Sequence, residues 1–410
     1  MPQPTQLRKL LYRAFKASSA TRLTRTVQGL AIMGTAAGLA LILLGSSIVD
    51  GFQWEIPQRM GQFWGHLQVR SLRSEEDALR PHLSIRQQRL HTLQQISGVR
   101  RVSTIILLPG LGRSSEGMEG VLLKGVQDDS ALDFFRSHLV EGQIPVWNEN
   151  QSTQEILIPK SLATALRVQC GDALSFYFMQ QPVRMRKFKV SGIFQMPMQN
   201  ELGRPVAIVH QSILRKLLGW PENAGGHLEM ELMDHRQMTE TRLRIDRVLT
   251  LQEECVTLEE QMPALFEWLR FFDTNRVVLM ILLVIVGAVN LISALLIMIL
   301  ERQRSLGILQ IMGLRPMHLA QTTVWIGLRL VFRGLIIGNL ITAVVYFVQN
   351  QWKFIRLDPE SYYLDYVPLK LDWQTYLITN LGAILIAFII LCLSAVLLLR
   401  RYADQNLKFS

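Results

Sequence analysis

Charge is what four parts of this 410-residue chain lack. Asp, Glu, Lys and Arg are all missing from residues 28–49, 277–300, 334–352 and 373–399. Each gap is near or above the roughly 20 residues a helix needs to cross a hydrocarbon core, which excludes a wholly soluble chain and predicts four membrane spans. Cysteine is scarce as well. Cys392 falls inside the fourth gap, and Cys170 and Cys255 show no framework spacing. A disulfide-built fold is excluded, although those two thiols could meet in an oxidising compartment.

The signatures of catalysis are missing too. No Gly-Lys dipeptide occurs, so no Walker A loop can cradle ATP phosphates, and H-E-x-x-H, C-x-x-C and G-x-S-x-G are absent. Gly112 to Gly117 comes nearest to the last of these, but neither serine has its flanking glycines, and the segment reads as a flexible loop. The histidines have no ligand spacing, which predicts no metal site. The acidic pairs Glu253-Glu254 and Glu259-Glu260 read as solvated positions. The chain is expected to be a non-catalytic subunit whose energy comes from a partner.

Acids are also absent from residues 1–27, which carry Arg8, Lys9, Arg13, Lys16, Arg22 and Arg25. The segment from Glu301 to Arg333 and the tail after Leu399 are basic as well, whereas residues 51–275 are close to neutral, so the net charge of +10 sits on one side of the spans. The positive-inside rule places both termini and the 301–318 segment in the cytoplasm. A neutral large domain argues against nucleic-acid binding. The long basic leader, the long apolar run and the missing A-x-A site predict an uncleaved anchor.

The organisation that follows is a cytoplasmic segment (1–27), a first span (28–49), an extracytoplasmic domain with stalk helices (50–275) and a second span (276–300). A cytoplasmic helix (301–318), a third span (319–349), an outer loop (350–372), a fourth span (373–399) and a cytoplasmic tail (400–410) complete it. Gly34 and Gly38 form a G-x-x-x-G pair that admits a close helix. Apolar residues keep helical spacing from Gly51 to Met60 and from Leu265 to Phe272, so the first two spans are expected to run outward as a stalk.

Between the stalk segments the pattern is one of short strands and helices. Strands are expected at 66–71, 99–108, 120–126, 155–158, 173–178, 186–194, 205–209, 227–233 and 256–258; helices at 84–96, near 130–137, at 160–166, before Gly219 and at 236–249. The fold class is therefore a membrane all-α bundle of four helices carrying a large α+β domain of two subdomains. Arg302 to Met312 reads as a short amphipathic helix stopped by Gly313. Arg329 and Arg333 lie one turn apart on the third span, where they either snorkel toward the cytoplasm or line a polar cavity.

Several motifs carry a family resemblance: Val49-Asp-Gly-Phe-Gln53, Leu123-Lys-Gly-Val126, Ile156-Leu-Ile-Pro-Lys160 with Gly171-Asp172, Phe188 to Phe194, Asn290-Leu-Ile-Ser293, Glu301 to Gly313, and Leu357 to Pro368. The chain resembles the permeases that include MacB, FtsX and the lipoprotein-releasing LolC/LolE type, most closely the last. That resemblance implies a MacB-like periplasmic core domain in an inner-membrane, multi-pass permease of a mechanotransmitting ABC transporter. It implies a LolD-like ATPase dimer that uses the ATP and Mg, with no cofactor on this chain. A second permease chain (homodimer or LolC/LolE-like heterodimer), lipoprotein cargo, membrane lipid and a LolA-like periplasmic carrier are the other implied partners.

By the same resemblance, Arg302, Arg304, Leu306, Gly307, Ile308, Leu309, Met312 and Gly313 form the helix that couples to the ATPase; the competing reading is a helix resting on lipid. Phe52, Trp54, Met60, Phe63, Trp268, Phe271 and Phe272 would wall the cavity for lipoprotein acyl chains, or else make an aromatic belt with helix packing. One departure stands out: LolC-type chains hold the carrier with a long hairpin, and here Met179 to Met185 is a short link. The chain is then LolE-like, or serves both positions, or docks a carrier differently. An FtsX-like regulator of a cell-wall hydrolase, a MacB-like peptide or drug exporter, and a receptor without any ATPase are the rival functions.

Overall fold

The computed structural model describes residues 22–72, 83–85, 87–127, 132–145, 147, 154–179, 182–195, 204–301, 316–358, 362 and 364–406. In chain order, α1 (Arg22–Trp64) leads to β1 (Leu67–Ser71), β2 (Leu83–Ser84), α2 (Gln87–Gln94), β3 (Val99–Arg113) and β4 (Met118–Val126). Then come α3 (Asp133–Ser137), β5 (Leu139–Gly142), β6 (Glu155–Pro159), α4 (Lys160–Leu166), β7 (Ala173–Phe178), β8 (Arg184–Phe194), β9 (Val206–His210) and α5 (Gln211–Leu218). After β10 (Ala224–Gly225) and β11 (His227–Leu232) follow α6 (Met238–Asp246), β12 (Glu253–Thr257), α7 (Leu258–Gln261), α8 (Pro263–Glu301), α9 (Pro316–Trp352) and α10 (Trp373–Asn406).

The chain divides into two compact units, and two of the boundaries fall inside helices: after Phe52 in α1 and after Trp268 in α8. The span unit takes α1 up to Phe52, α8 from Leu269, α9 and α10. Among the described residues four helical stretches are long and apolar enough to cross a membrane: Thr26–Trp64, Pro263–Ala294, Val324–Trp352 and Trp373–Val396. Leu39, Leu43, Leu291, Val331, Leu335 and Leu391 form the core of this unit.

The α/β unit holds Gln53–Trp268 and Arg356–Tyr366. Its strands run β12-β1-β11-β3-β4-β9-β6-β8-β5, and β7 bridges β3 and β8. The pairings β3–β4–β9–β6–β8–β7–β3 therefore close into a small barrel, while β12, β1 and β11 extend the sheet from the first half of β3. Closure removes free edges from that half. Phe176, Phe178 and Phe188 fill the barrel with Leu123, Ile156 and Val209, and Leu162 and Leu166 of α4 and Leu214 and Leu217 of α5 join the same core. Each of these large side chains contributes about 2 kcal/mol by leaving water.

Three local readings need correction. The strand expected to stop at Leu108 runs through Pro109 and Gly110 to Arg113. Proline is tolerated because pairing with β11 ends at Ile105 and pairing with β7 begins at Leu111, so Pro109 sits where one side of β3 has no partner. The Gly112–Gly117 loop is the tight end of the β3–β4 hairpin: Ser114 Oγ accepts from the N–H groups of Glu116 and Gly117 at 3.1 and 3.3 Å. The acidic pairs are solvated only in part: Glu259 and Glu260 are exposed, whereas Glu253 and Glu254 are half-buried. Glu253 accepts both ends of the Arg89 guanidinium at 2.5 and 2.6 Å, and Glu260 forms a reciprocal capping box with Thr257.

Candidate functional site

Two regions gather the residues that the sequence singles out. The first lies within the span unit. A cleft of about 90 Å³ opens between the four helices, lined by Thr35, Gly38, Leu39, Gly287, Leu291 and Ala387 among others, almost entirely apolar. A β-carbon at Gly34 would run into the Asn290 amide, whereas one at Gly38 would meet nothing within 4 Å among the described residues, so one half of the G-x-x-x-G pair makes the close approach. One face of α8 is bare: Val278, Ile285, Val289 and Ile292 are all exposed. Such a face belongs against lipid or another apolar surface. Asn339 donates to Asn380 at 2.8 Å and ties α9 to α10. Arg329 places its guanidinium 4.2 Å from the Trp325 ring centroid, and Arg333 is exposed.

Where α1 and α8 leave the apolar stretch, Arg276 donates to Asp50 at 2.7 Å and to Asp273 at 2.8 Å. One turn away Phe52 and Phe272 stack with ring centroids 5.6 Å apart, and Phe271 points out, 60% exposed. Gly51 explains part of the Val49 to Gln53 motif. A β-carbon there would lie 2.3 Å from the Pro368 carbonyl oxygen, so only glycine lets the Leu357 to Pro368 motif cross the helix. Lys370 N–H donates to the Ser47 carbonyl at 3.0 Å beside that crossing, and buried Gln349 bonds the backbone of Ile355 and Val367. Two motifs more than 300 residues apart are thus one joint.

The second region is the root of α1 in the α/β unit. Trp54 is half-buried, tilted against His235 at 4.9 Å, with the Arg236 guanidinium 4.8 Å from its ring centroid. Trp268 is half-buried. Met60 and Phe63, expected in an acyl-chain wall, are buried instead, and the Phe63 ring packs among Trp64, Phe134 and Phe135. The apolar stripe is real, and its upper part faces the unit's own interior.

His66 follows the helix with its ring against Gly61, where a β-carbon would lie 2.2 Å from Nε2. Its Nδ1 accepts the Leu232 N–H at 3.0 Å. Burial, helped by neighbouring His235, lowers the His66 pKa to about 3, against a smaller opposing pull from Asp234. Among the described residues no group of three His, Cys, Asp or Glu could hold a metal, and Cys170, Cys255 and Cys392 are all free thiols.

The coupling residues expected at Arg302, Arg304, Leu306, Gly307, Ile308, Leu309, Met312 and Gly313 lie outside the described residues, as does part of the Met179–Met185 link. Sequence reasoning missed Arg276 and quoted Asp50 and Lys124 only as members of motifs, without a role. Arg276 and Asp50 were legible as lone charges flanking apolar runs, while Lys124 carries no local signal of its burial.

Comparison with known proteins bears on both units. Residues 29–248 match the MacB-like periplasmic core domain and residues 277–403 match the FtsX-like permease C-terminal region. The lipoprotein-releasing system transmembrane protein LolC of Xylella fastidiosa is 22% identical over 376 residues, covering 87% of this chain and 88% of that one. LolE of Haemophilus influenzae is 21% identical over 381 residues, covering 86% and 87%. The periplasmic region of MacB from Actinobacillus actinomycetemcomitans aligns at 12% identity over 52% of this chain and 98% of its own, with a TM-score of 0.35. The core-domain match alone takes in more than half of the chain, which belongs to the permease family that joins a MacB-like periplasmic core domain to an FtsX-like C-terminal region.

Proposed function

We propose that this chain is the permease subunit of an ATP-driven transporter of the mechanotransmission type, which extracts lipoproteins from the inner membrane for delivery toward the outer membrane. The observation that carries this reading is the end-to-end match to LolC and LolE, which takes in about nine-tenths of either chain rather than one shared domain. The lack of any nucleotide-binding loop in the sequence supports a separate ATPase, a LolD-like dimer that consumes ATP and Mg. Both termini and the 302–313 segment face the cytoplasm in this reading, and Leu306, Ile308, Leu309 and Met312 anchor that segment on the ATPase.

Helices α1 and α8 are the drive shafts. Each continues without a break past the end of its apolar run, and each contains the boundary between the two units. Acyl chains of the cargo run along the bare face of α8 and Phe271, with a second permease chain closing the other side. Phe52 and Phe272 shape the upper end of that path, and Met60 and Phe63 anchor the helix instead. A LolA-like carrier takes the cargo outside, although the short Met179–Met185 link gives it no long hook. Depleting the chain in cells tests the reading: lipoproteins should accumulate in the inner membrane, whereas an unchanged distribution with altered septation would favour an FtsX-like regulator.

A further inference from the structure

The last turn of any helix leaves carbonyl groups without partners and carries a partial negative charge. At the end of α1 that deficit is met by a side chain from far along the chain. Lys124, on β4, is buried, and its Nζ donates to the Phe63 carbonyl of α1. It also donates to Glu229 Oε2 on β11 at 2.7 Å. The Phe63 and Trp64 rings each lie 4.9 Å from the ammonium. Glu229 is held in turn by His227 Nε2 at 3.1 Å, and two residues along β11 Glu231 pairs with Arg101 of β3 at 3.0 Å.

Burial works against the Glu229 carboxylate, but the Lys124 charge and the His227 bond outweigh it and hold its pKa below the usual range. Burial lowers the Lys124 pKa against the opposing pull of Glu229. As a source of stability a buried ion pair rarely beats a well-packed apolar pair of similar size. What the ions add is direction. Apolar contacts slide, whereas a buried ammonium bonded to one helix carbonyl and one strand carboxylate fixes the helix end along its axis and about it. Because β11, β3 and β4 are neighbours in the sheet, the clamp spans the strand where the barrel meets the rest of the sheet.

We infer that Lys124 is a positioning residue that converts movement of α1 into movement of the β-barrel, by locking the Phe63 carbonyl to Glu229 of β11. This rests on the lipoprotein-releasing reading above, and the test separates the two. The complex with its ATPase is reconstituted with wild-type chain, Lys124→Met, and Lys124→Met/Glu229→Met, the double change removing both charges so that folding survives where the single change exposes an unpaired carboxylate. In the double variant ATP hydrolysis should continue while lipoprotein released per ATP falls by roughly tenfold, within the range that residues on a coupling path command.

Spin labels at Arg59 of α1 and Met118 of β4 read the clamp without cargo. Their distance distribution should be narrow in the wild type with or without nucleotide, and broad in the double variant. A double variant that keeps both the narrow distribution and wild-type release per ATP overturns the inference. Wild-type chain that releases no lipoprotein overturns the functional reading, and the labels still decide on the clamp.

Discussion

His66 shows what the root of α1 demands of single side chains. Its ring fits because residue 61 is glycine, and it accepts a backbone bond on Nδ1 while Nε2 finds no partner among the described residues. A proton on Nδ1 would break that bond. With a folded pKa near 3 and an ordinary value of 6.5, the folded chain binds fewer protons than the unfolded one. The stability this provides is complete above the ordinary value and is lost as pH falls from there toward the folded value, at about 1.4 kcal/mol per pH unit. Chemical unfolding of the detergent-purified chain should lose about 2 kcal/mol between pH 6.5 and 5, and His66→Gln should flatten that slope. An equal slope in the variant would assign the acid sensitivity elsewhere. Lys124 sets the other limit at this scale: removing it alone strands a buried carboxylate, a change that costs about 3–5 kcal/mol. Neither role was legible in the sequence. Periodicity marked Met60 and Phe63 as apolar, but a helical period says nothing of what covers the face, and Lys124 reads as one more alternating strand residue.

Elements were legible wherever local chemistry punctuates them. The sequence reading of α4 as 160–166 and β7 as 173–178 matches the structure because Pro159, Gly171 and Asp172 mark their ends. The strand β3 was read short because a Pro-Gly pair normally ends pairing, and the gap that tolerates it is made by β11 and β7, both distant in sequence. The Arg236–Leu249 helix shrinks to α6 behind a 3-10 turn at His235–Gln237, since Asp234 caps that turn first. At this scale the proposed drive point, Arg302 to Gly313, is tested by Leu306→Asp with Ile308→Asp. The pair should abolish copurification of the ATPase and leave the chain in the membrane. A variant that still copurifies and supports normal turnover would remove the segment from the coupling role.

For the whole molecule, the class of fold could be read from the spacing of charge: four apolar gaps, with a neutral insert between the first two. Closure of the barrel could not, because β3–β7 and β4–β9 pair residues about 60 to 90 positions apart and no local pattern encodes such partners. The same holds for the joint of Gly51 and Pro368, where two motifs that carry the family resemblance meet. The mechanical plan follows from the long helices α1 and α8 and from the clamp at the end of α1. Its most direct test is release of a fluorescent lipoprotein from proteoliposomes containing this chain, the proposed ATPase and a second permease chain, either another copy or a different one. The account predicts release that needs ATP and stops when the chain is omitted. Hydrolysis without release in the full assembly, or release that persists without the chain, would contradict it.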